Sequence, residues 1–158
     1  MTNKRSAALL VYRFDAAGGL EVLIAHMGGP FWAKKDDGGW SIPKGEYEPS
    51  EPPLAAAQRE FEEEMGSPPP VGPYLELGEA RQSSGKILIT FAVHGDFDPS
   101  TFASNTFELE WPRGSGRVQE FPEMDRAAWF TLDVAALKLV KGQIPILAAL
   151  TSALSNTP

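Results

Sequence analysis

The feature that most constrains the fold of this chain is a sharply bounded helical pattern near its centre. Apolar residues recur at helical spacing over residues 54–65, and Ser50 is predicted to be the N-cap. Gly66 stands where a helix end needs a glycine in the left-handed conformation, and the prolines at 68–70 prevent the helix from continuing. The segment therefore predicts one short helix, around which the other elements must be arranged.

Short apolar runs rich in strand-forming residues lie on both sides of this helix. They predict one hairpin of residues 7–14 with 21–27 and a second of residues 74–82 with 86–94. They also predict a brief extended piece at 40–43 and a late strand at 127–130. Residues 133–154 predict one or two helices, divided near Gly142 and Pro145. The intervening segments 28–39, 44–53 and 96–118 are predicted to be loops.

Composition narrows the classes of function. The 158 residues show no repeat and no low-complexity linker, so we expect a single domain over residues 1–158. The absence of cysteine excludes disulfides and thiolate metal sites, and two histidines argue against an imidazole-rich zinc site. A net charge of −7 argues against binding to duplex nucleic acid or to an anionic membrane. No segment has the pattern of a signal peptide or the length of a membrane span, so we expect a cytoplasmic location.

The predicted helix carries its negative charge on one stripe. On a helical wheel of about 100° per residue, Glu60, Glu63 and Glu64 fall together, with Ala56 among them. Another side of the wheel is apolar and consists of Leu54, Ala57, Phe61 and Met65. Like charges three and four residues apart near a helix C-terminus oppose helix formation, and bound hard cations such as Mg²⁺ would compensate for them. A solvated acidic face is the alternative interpretation.

The residues around this stripe form a motif with fixed spacing. Five residues separate Gly45 from Glu51, and seven separate Glu51 from Arg59-Glu60-Phe61. One residue then precedes Glu63-Glu64, and one more precedes Gly66. Preceded by Trp40-Ser-Ile-Pro-Lys-Gly, this pattern resembles the Nudix box, the signature of the Nudix hydrolase family.

Two positions depart from that pattern. Phe61 stands where a bulky aliphatic residue is usual, and Ser67 replaces the final aliphatic residue, but both concern packing rather than chemistry. The order of strands and helices on either side is also similar to the family. The resemblance implies an α/β (α+β) fold, an α/β/α sandwich around a mixed β-sheet.

The resemblance also implies roles for individual residues. It implies that Mg²⁺, or Mn²⁺ as a substitute, is bound by Glu60, Glu63, Glu64 and the backbone carbonyl of Lys44. It implies that Arg59 holds a box carboxylate by a charge-assisted hydrogen bond, and that Glu51 supports the loop or a metal-bound water. The candidate catalytic residues of the box are therefore Arg59, Glu63 and Glu64.

Many family members take a further metal-binding glutamate from a late loop. Glu123 lies six residues before Trp129, a spacing similar to that of the family's loop glutamate. We therefore predict that Glu123 binds metal and takes part in catalysis. Glu120 is the alternative.

The segment from Trp40 to Gly45 looks like the entry to the box in members that hydrolyse dinucleoside or diphosphoinositol polyphosphates. It implies substrate contacts by Trp40, Lys44 and Glu51, with Lys44 on a phosphate. Candidates for stacking on a base are Phe31, Trp32, Phe107 and Trp111. Candidates for contacting distal phosphates are Lys34, Lys35, Arg81, Lys86, Arg113 and Arg117.

Together these features predict a Mg²⁺-dependent pyrophosphohydrolase, which uses a metal-activated water to cleave a phosphoanhydride bond of a nucleoside polyphosphate. A dinucleoside polyphosphate is one candidate substrate. The alternatives are a nucleoside triphosphate pyrophosphatase and a catalytically silent, nucleotide-binding Nudix domain, which would usually lack the box carboxylates that this chain retains. We expect a nucleotide or other phosphoanhydride as partner, and a monomer or homodimer.

Overall fold

The computed structural model describes residues 4–156, which form nine strands and three α-helices. The strands are β1 (Arg5–Phe14), β2 (Leu20–Met27), β3 (Trp40–Ser41), β4 (Lys44–Glu46), β5 (Tyr74–Arg81), β6 (Ile87–His94), β7 (Thr106–Glu110), β8 (Val118–Pro122) and β9 (Met124–Thr131). The helices are α1 (Pro53–Met65), α2 (Leu132–Lys138) and α3 (Ile144–Ser155), and short 3₁₀ turns cover Pro99–Thr101 and Lys141–Gln143.

A mixed sheet organises this part of the chain. Its main path runs in the order β3-β2-β1-β6-β5, while β4 also pairs with β1 and β9 with β2. Strands β1 and β6 are parallel, and the other pairs are antiparallel. Strand β1 changes partner along its length, because residues 6–8 pair with β4 whereas residues 12–14 pair with β2. The backbones of β2 and β4 therefore diverge and leave one edge of β4 free of strand pairing.

Helices cover both faces of the sheet. Successive residues of a strand point to opposite faces, so Leu9 packs in one core with Phe61 of α1, while Leu10 packs in a second core with Leu150 of α3. All four side chains are at most 1% exposed. This α/β/α arrangement around a mixed sheet confirms the predicted fold class.

The two predicted hairpins, the late strand and the division of the C-terminal helices are also confirmed. Two predicted loops contain strands, however. Strand β4 lies within residues 44–53, and its three residues are ordered by pairing with β1 rather than by an apolar pattern of their own. Strands β7 and β8 form a separate hairpin within and just after residues 96–118, where Phe107 and Leu109 alternate with polar residues. The glycines and prolines around these residues favour a loop, although the alternation itself is typical of a strand.

Helix α1 differs from the prediction at its start and on its polar face. Its N-cap is Pro52 rather than Ser50, and no side chain caps it, because proline has no side-chain oxygen that could accept a hydrogen bond. Ala56, which the wheel placed among the acidic residues, is fully buried. The acidic stripe therefore faces protein along part of its width and is not a solvated face. Within residues 4–156, no helix is both long enough and apolar enough to cross a bilayer.

Candidate active site

Glu64 is the most buried member of the acidic stripe. Its side chain is 7% exposed, and its Oε1 accepts a hydrogen bond of 2.7 Å from the backbone N–H of Lys44. Burial raises the pKa of Glu64 to about 8, and the negative charges of Glu60 and Glu123 add to that rise. Within residues 4–156, Glu64 thus forms no ion pair with a cationic side chain.

Glu60 lies against the backbone of β4. A Cβ atom added to Gly45 would lie 1.6 Å from Oε1 of Glu60, so only glycine permits this approach. Partial burial and the neighbouring carboxylate of Glu63 raise the pKa of Glu60, although Arg59 opposes that rise. The box glycine therefore has a steric role, because it lets a strand pass directly over a helical carboxylate.

Arg59 connects the box carboxylates to the preceding loop. It donates two hydrogen bonds to Glu51, from Nε at 3.0 Å and from Nη2 at 2.9 Å, and a third from Nη1 to Glu60 at 2.5 Å. Nη1 also lies 3.6 Å from Oε1 of Glu63. The bidentate contact with Arg59 holds the pKa of Glu51 below its usual value. Each oxygen of Glu51 accepts a hydrogen bond from Arg59, an arrangement that agrees with loop support, while the contact of Glu51 with substrate stays a prediction.

The backbone of Lys44 faces the helix rather than the sheet. Lys44 lies opposite Ala8 in the β1–β4 ladder, and the adjacent Leu9 N–H donates to the Pro43 carbonyl. The Lys44–Ala8 pair is therefore one that does not exchange hydrogen bonds, so the N–H of Lys44 points away from β1, toward Glu64. In a strand the C=O of a residue leaves on the same side as its N–H, which directs the Lys44 carbonyl toward the carboxylate side.

The late glutamates lie in different surroundings. Glu123 links β8 to β9, and its charge acts on Glu64. Its backbone is tied to both sides of the site, since its N–H donates to Asn105 at 2.7 Å and its C=O accepts from Gly28 at 2.9 Å. Asn105 in turn donates to the Glu63 carbonyl at 2.9 Å. Glu120 instead lies within β8, opposite Glu108 of the exposed hairpin.

Trp40 lies apart from the box carboxylates, on the other face of the sheet. It is 3% exposed in the core on the α2–α3 face of the sheet, and its Nε1 donates to Asp36 at 2.8 Å. The strand alternation that directs Gly45 toward α1 leaves Trp40 on the opposite face. Its predicted substrate contact is therefore corrected to a packing role.

Only some of the aromatic residues predicted to stack on a base lie in contact with one another. The rings of Phe31 and Trp111 meet edge to face with centroids 5.3 Å apart, which joins the β2–β3 loop to the β7–β8 hairpin. Phe107 packs against Gly29 and Phe121, and it lies in a strand rather than in a loop. No sequence pattern points to Asn105 and Gly28, because their roles depend on backbone contacts between segments that are distant in the chain.

The donor set suits a hard divalent cation. Three carboxylates and one backbone carbonyl offer oxygen ligands of the kind that such cations prefer. A bound cation would offset the free-energy cost of burying the charge of Glu64 and would reduce the repulsion between Glu60 and Glu63. In the part of the chain described, no three acidic or histidine side chains already converge as a preformed metal-binding group. Arg59 holds Glu60 and Glu51, and Lys44 holds Glu64, so these carboxylates are each engaged by protein donors.

Comparisons with known proteins agree with this architecture. A family model described as NUDIX domain matches residues 3–150. The NUDIX domain of Shewanella oneidensis NrtR, solved with ADP ribose, is similar with a TM-score of 0.65 and 14% identity over 98% of this chain and 90% of that one.

Two further solved structures are similar. A Caenorhabditis elegans Ap4A hydrolase complex has a TM-score of 0.62 and 19% identity, over 96% of this chain and 99% of that one. A mutT/nudix family protein from Listeria innocua has a TM-score of 0.63 and 19% identity, over 98% and 96%. No curated protein matches the chain by sequence.

Proposed function

This chain belongs to the Nudix family and is a Nudix hydrolase, and on that premise we propose that it hydrolyses a phosphoanhydride bond of a nucleoside polyphosphate with the help of divalent cations. Mg²⁺ is the first choice of cation, with Mn²⁺ as a substitute. The observation that carries the proposal is the buried Glu64 carboxylate on the Lys44 N–H, beside Glu60 and facing the charge of Glu123.

The residues that would hold the cations are Glu60, Glu63, Glu64, Glu123 and the carbonyl of Lys44. When bound, divalent cations neutralise a pyrophosphate, activate a water and stabilise the leaving phosphate. Arg59 positions Glu60 and joins it to Glu51, so the loop before α1 is held in register with the helix. Glu123 is the candidate general base, because it approaches the box from a segment that Arg59 does not engage.

The substrate class rests on charge and on the family. A pyrophosphate repels a chain with a net charge of −7 unless cations intervene, which agrees with a metal-dependent reaction. Two of the similar structures carry ADP ribose or act on Ap4A, as their descriptions state. The aromatic pair Phe31 and Trp111 is a candidate platform for a nucleobase. A dinucleoside polyphosphate is the candidate that we favour, and a nucleoside triphosphate is the second.

A product analysis tests this proposal. Purified protein is incubated with Mg²⁺ or Mn²⁺ and with nucleoside triphosphates, dinucleoside polyphosphates, nucleotide sugars and diphosphoinositol polyphosphates, in water enriched in ¹⁸O. We expect cleavage of a dinucleoside polyphosphate into two nucleotides, with ¹⁸O in only one of them. Release of pyrophosphate from nucleoside triphosphates alone would favour the second candidate. Binding without hydrolysis of any compound would contradict the proposal.

A further inference from the structure

A groove of about 630 Å³ lies on the face of the sheet opposite α1, between the β5–β6 turn and the segment that leads into α3. Four cationic side chains line it, and they come from three separate parts of the chain: Lys44, Arg81 with Lys86, and Lys141. Among the described residues that line the groove, none is acidic. Lys44, Arg81 and Lys86 are predicted phosphate contacts on sequence alone, but no local pattern places them together or points to Lys141.

The two walls of the groove are tied to each other. The side-chain amide of Gln82 donates to the backbone carbonyl of Gly142 at 3.2 Å. A Cβ atom added to Gly142 would lie 2.8 Å from Oε1 of Gln82, so the walls meet closely at this point. The hairpin turn is itself closed by a hydrogen bond of 2.8 Å from the Gln82 N–H to the Lys86 carbonyl. Hydrogen bonds therefore fix the two walls of the groove relative to each other.

The positive charge in the groove is largely uncompensated. Lys86 pairs with Glu46 at 2.8 Å. Lys44, Arg81 and Lys141 form no ion pair with any carboxylate in residues 4–156, although the chain as a whole carries an excess of seven negative charges. Like charges that share a concave surface repel one another, and a bound anion would relieve that repulsion.

Lys44 joins this groove to the candidate active site. Its backbone N–H bonds to Glu64, while its side chain shares the face of its cross-strand partner Ala8, which is the face opposite α1. Lys44 therefore belongs both to the groove lining and to the residues that contact the box carboxylates.

We propose that the groove binds phosphate groups of the substrate that lie beyond the scissile anhydride. The favoured substrate is then a polyphosphate whose distal part is itself multiply anionic, rather than a nucleotide joined to an uncharged group. A neutral nucleobase or sugar in the groove would leave the charges of Arg81, Lys141 and Lys44 unpaired. The proposal rests on the proposed function for the reaction, but the anion site can be tested separately.

The first test measures binding without catalysis. Inorganic tripolyphosphate is titrated into protein by calorimetry, in buffer freed of divalent cations by a chelating resin. The groove variant is Arg81→Gln with Lys141→Gln, neither of which lies in the candidate catalytic machinery. The matched control is Arg126→Gln with Lys138→Gln, which removes the same two charges from residues that do not line the groove. Thermal melting checks that both variants are folded.

We expect the groove variant to bind tripolyphosphate at least about tenfold more weakly than wild type, because hydrogen bonds to charged groups are lost, and the control to bind like wild type. Equal weakening in both variants would mean a general charge effect and would overturn the proposal. So would wild-type affinity in the groove variant, or a lack of binding by the wild type. Groove-dependent binding in a protein that hydrolyses nothing would support the anion site while contradicting the proposed function.

The second test uses the active protein with Mg²⁺. The groove variant should raise KM at least about tenfold for a dinucleoside tetraphosphate, with little change in kcat, because binding beyond the scissile bond is weakened. For ADP-ribose, whose far side is an uncharged sugar, KM should stay at the wild-type value. A lower kcat with an unchanged KM, or equal effects on both substrates, would contradict the assignment of the groove.

Discussion

Much of the unfavourable electrostatic free energy of the candidate site arises at one residue, Glu64. Its carboxylate is almost fully buried, and the backbone N–H of Lys44 is a neutral donor that compensates for only part of the lost hydration. A divalent cation on the same group would supply the missing charge. Substitutions that keep the shape of the side chain and remove its charge therefore separate metal binding from folding.

The first prediction concerns turnover. We expect Glu63→Gln or Glu64→Gln to lower kcat at least about 10²-fold, comparable to the loss of one electrostatic contact in a transition state. Glu62→Gln is the control, because Glu62 is an exposed neighbour on the same helix. Steady-state kinetics with Mg²⁺ on the best substrate provide the measurement. Wild-type turnover in both of the first two variants would remove Glu63 and Glu64 from the metal site.

The second prediction concerns pH and stability without metal. The pKa of Glu64 is about 8 in the folded protein, above its usual value of 4.5, so the folded state holds this proton more tightly than the unfolded chain. The contribution of Glu64 to stability is therefore fully present below about pH 4.5 and is lost as the pH rises through about 8. Between pH 5 and 8 the melting temperature of the metal-free wild type should fall more steeply than that of Glu64→Gln. Parallel curves for the two proteins would show that Glu64 is not the group responsible.

The third prediction uses the close approach of Gly45 to Glu60. Gly45→Ala should displace the Glu60 carboxylate, since the added Cβ would lie 1.6 Å from its oxygen. We expect Mg²⁺ affinity to fall at least about tenfold, the scale of one lost charged contact, while the fold persists. Gly19→Ala is the control, because its Cβ would meet only the end of the exposed Asp15 side chain. Mg²⁺ titration followed by calorimetry compares them, and equal affinities would contradict the steric role.

At the scale of secondary-structure elements, the site is an assembly of α1, β4 and the β8–β9 link. Helix α1 carries the row of carboxylates, β4 contains Gly45 and the proposed carbonyl ligand, and the link contains Glu123, the proposed late ligand. Asn105 connects two of these elements, because it donates to the Glu63 carbonyl and accepts from the Glu123 N–H. The position of Glu123 is therefore coupled to the C-terminal end of α1 through backbone groups.

The fourth prediction separates the two late glutamates. Glu123→Gln should lower kcat about 10²-fold or more, whereas Glu120→Gln should leave kcat near the wild-type value. The reason is that Glu123 faces the charge of Glu64, while Glu120 lies within an exposed hairpin opposite Glu108. The two variants are compared at saturating Mg²⁺ with the same substrate. The reverse order would transfer the role to Glu120, and two active variants would exclude both residues from it.

At the scale of the whole molecule, cation binding should stabilise the folded state, because the cation would be held by residues of α1, β4 and the β8–β9 link together. A ligand at 100 times its dissociation constant stabilises the folded state by about 2.7 kcal/mol, which is about 5–10 °C in melting temperature for a chain of this size. Wild-type protein should show this shift when Mg²⁺ is added. The double variant Glu60→Gln with Glu64→Gln should show almost none, and an equal shift in both proteins would place the bound cation elsewhere.

The chain by itself determined the helix, its acidic stripe and its C-terminal end, because helical periodicity, a left-handed glycine and a run of prolines are local signals. Gly66 has a φ of +82°, as its position after Met65 predicted. The alternating apolar runs likewise predicted β1, β2, β5, β6 and β9. Motif spacing identified the family, since it preserves which side chains lie on one face of the helix.

Only the tertiary structure decided which residues meet across elements. The burial of Glu64 and the passage of β4 over Glu60 depend on the pairing of β4 with β1. The position of Trp40 in the opposite core depends on the pairing of β3 with β2. The basic groove also depends on the pairing of β4 with β1, because Lys44 meets Arg81 and Lys141 only when β4 is in place. Such contacts join residues far apart in the chain, and they arise from strand register and helix packing rather than from any local pattern of residues.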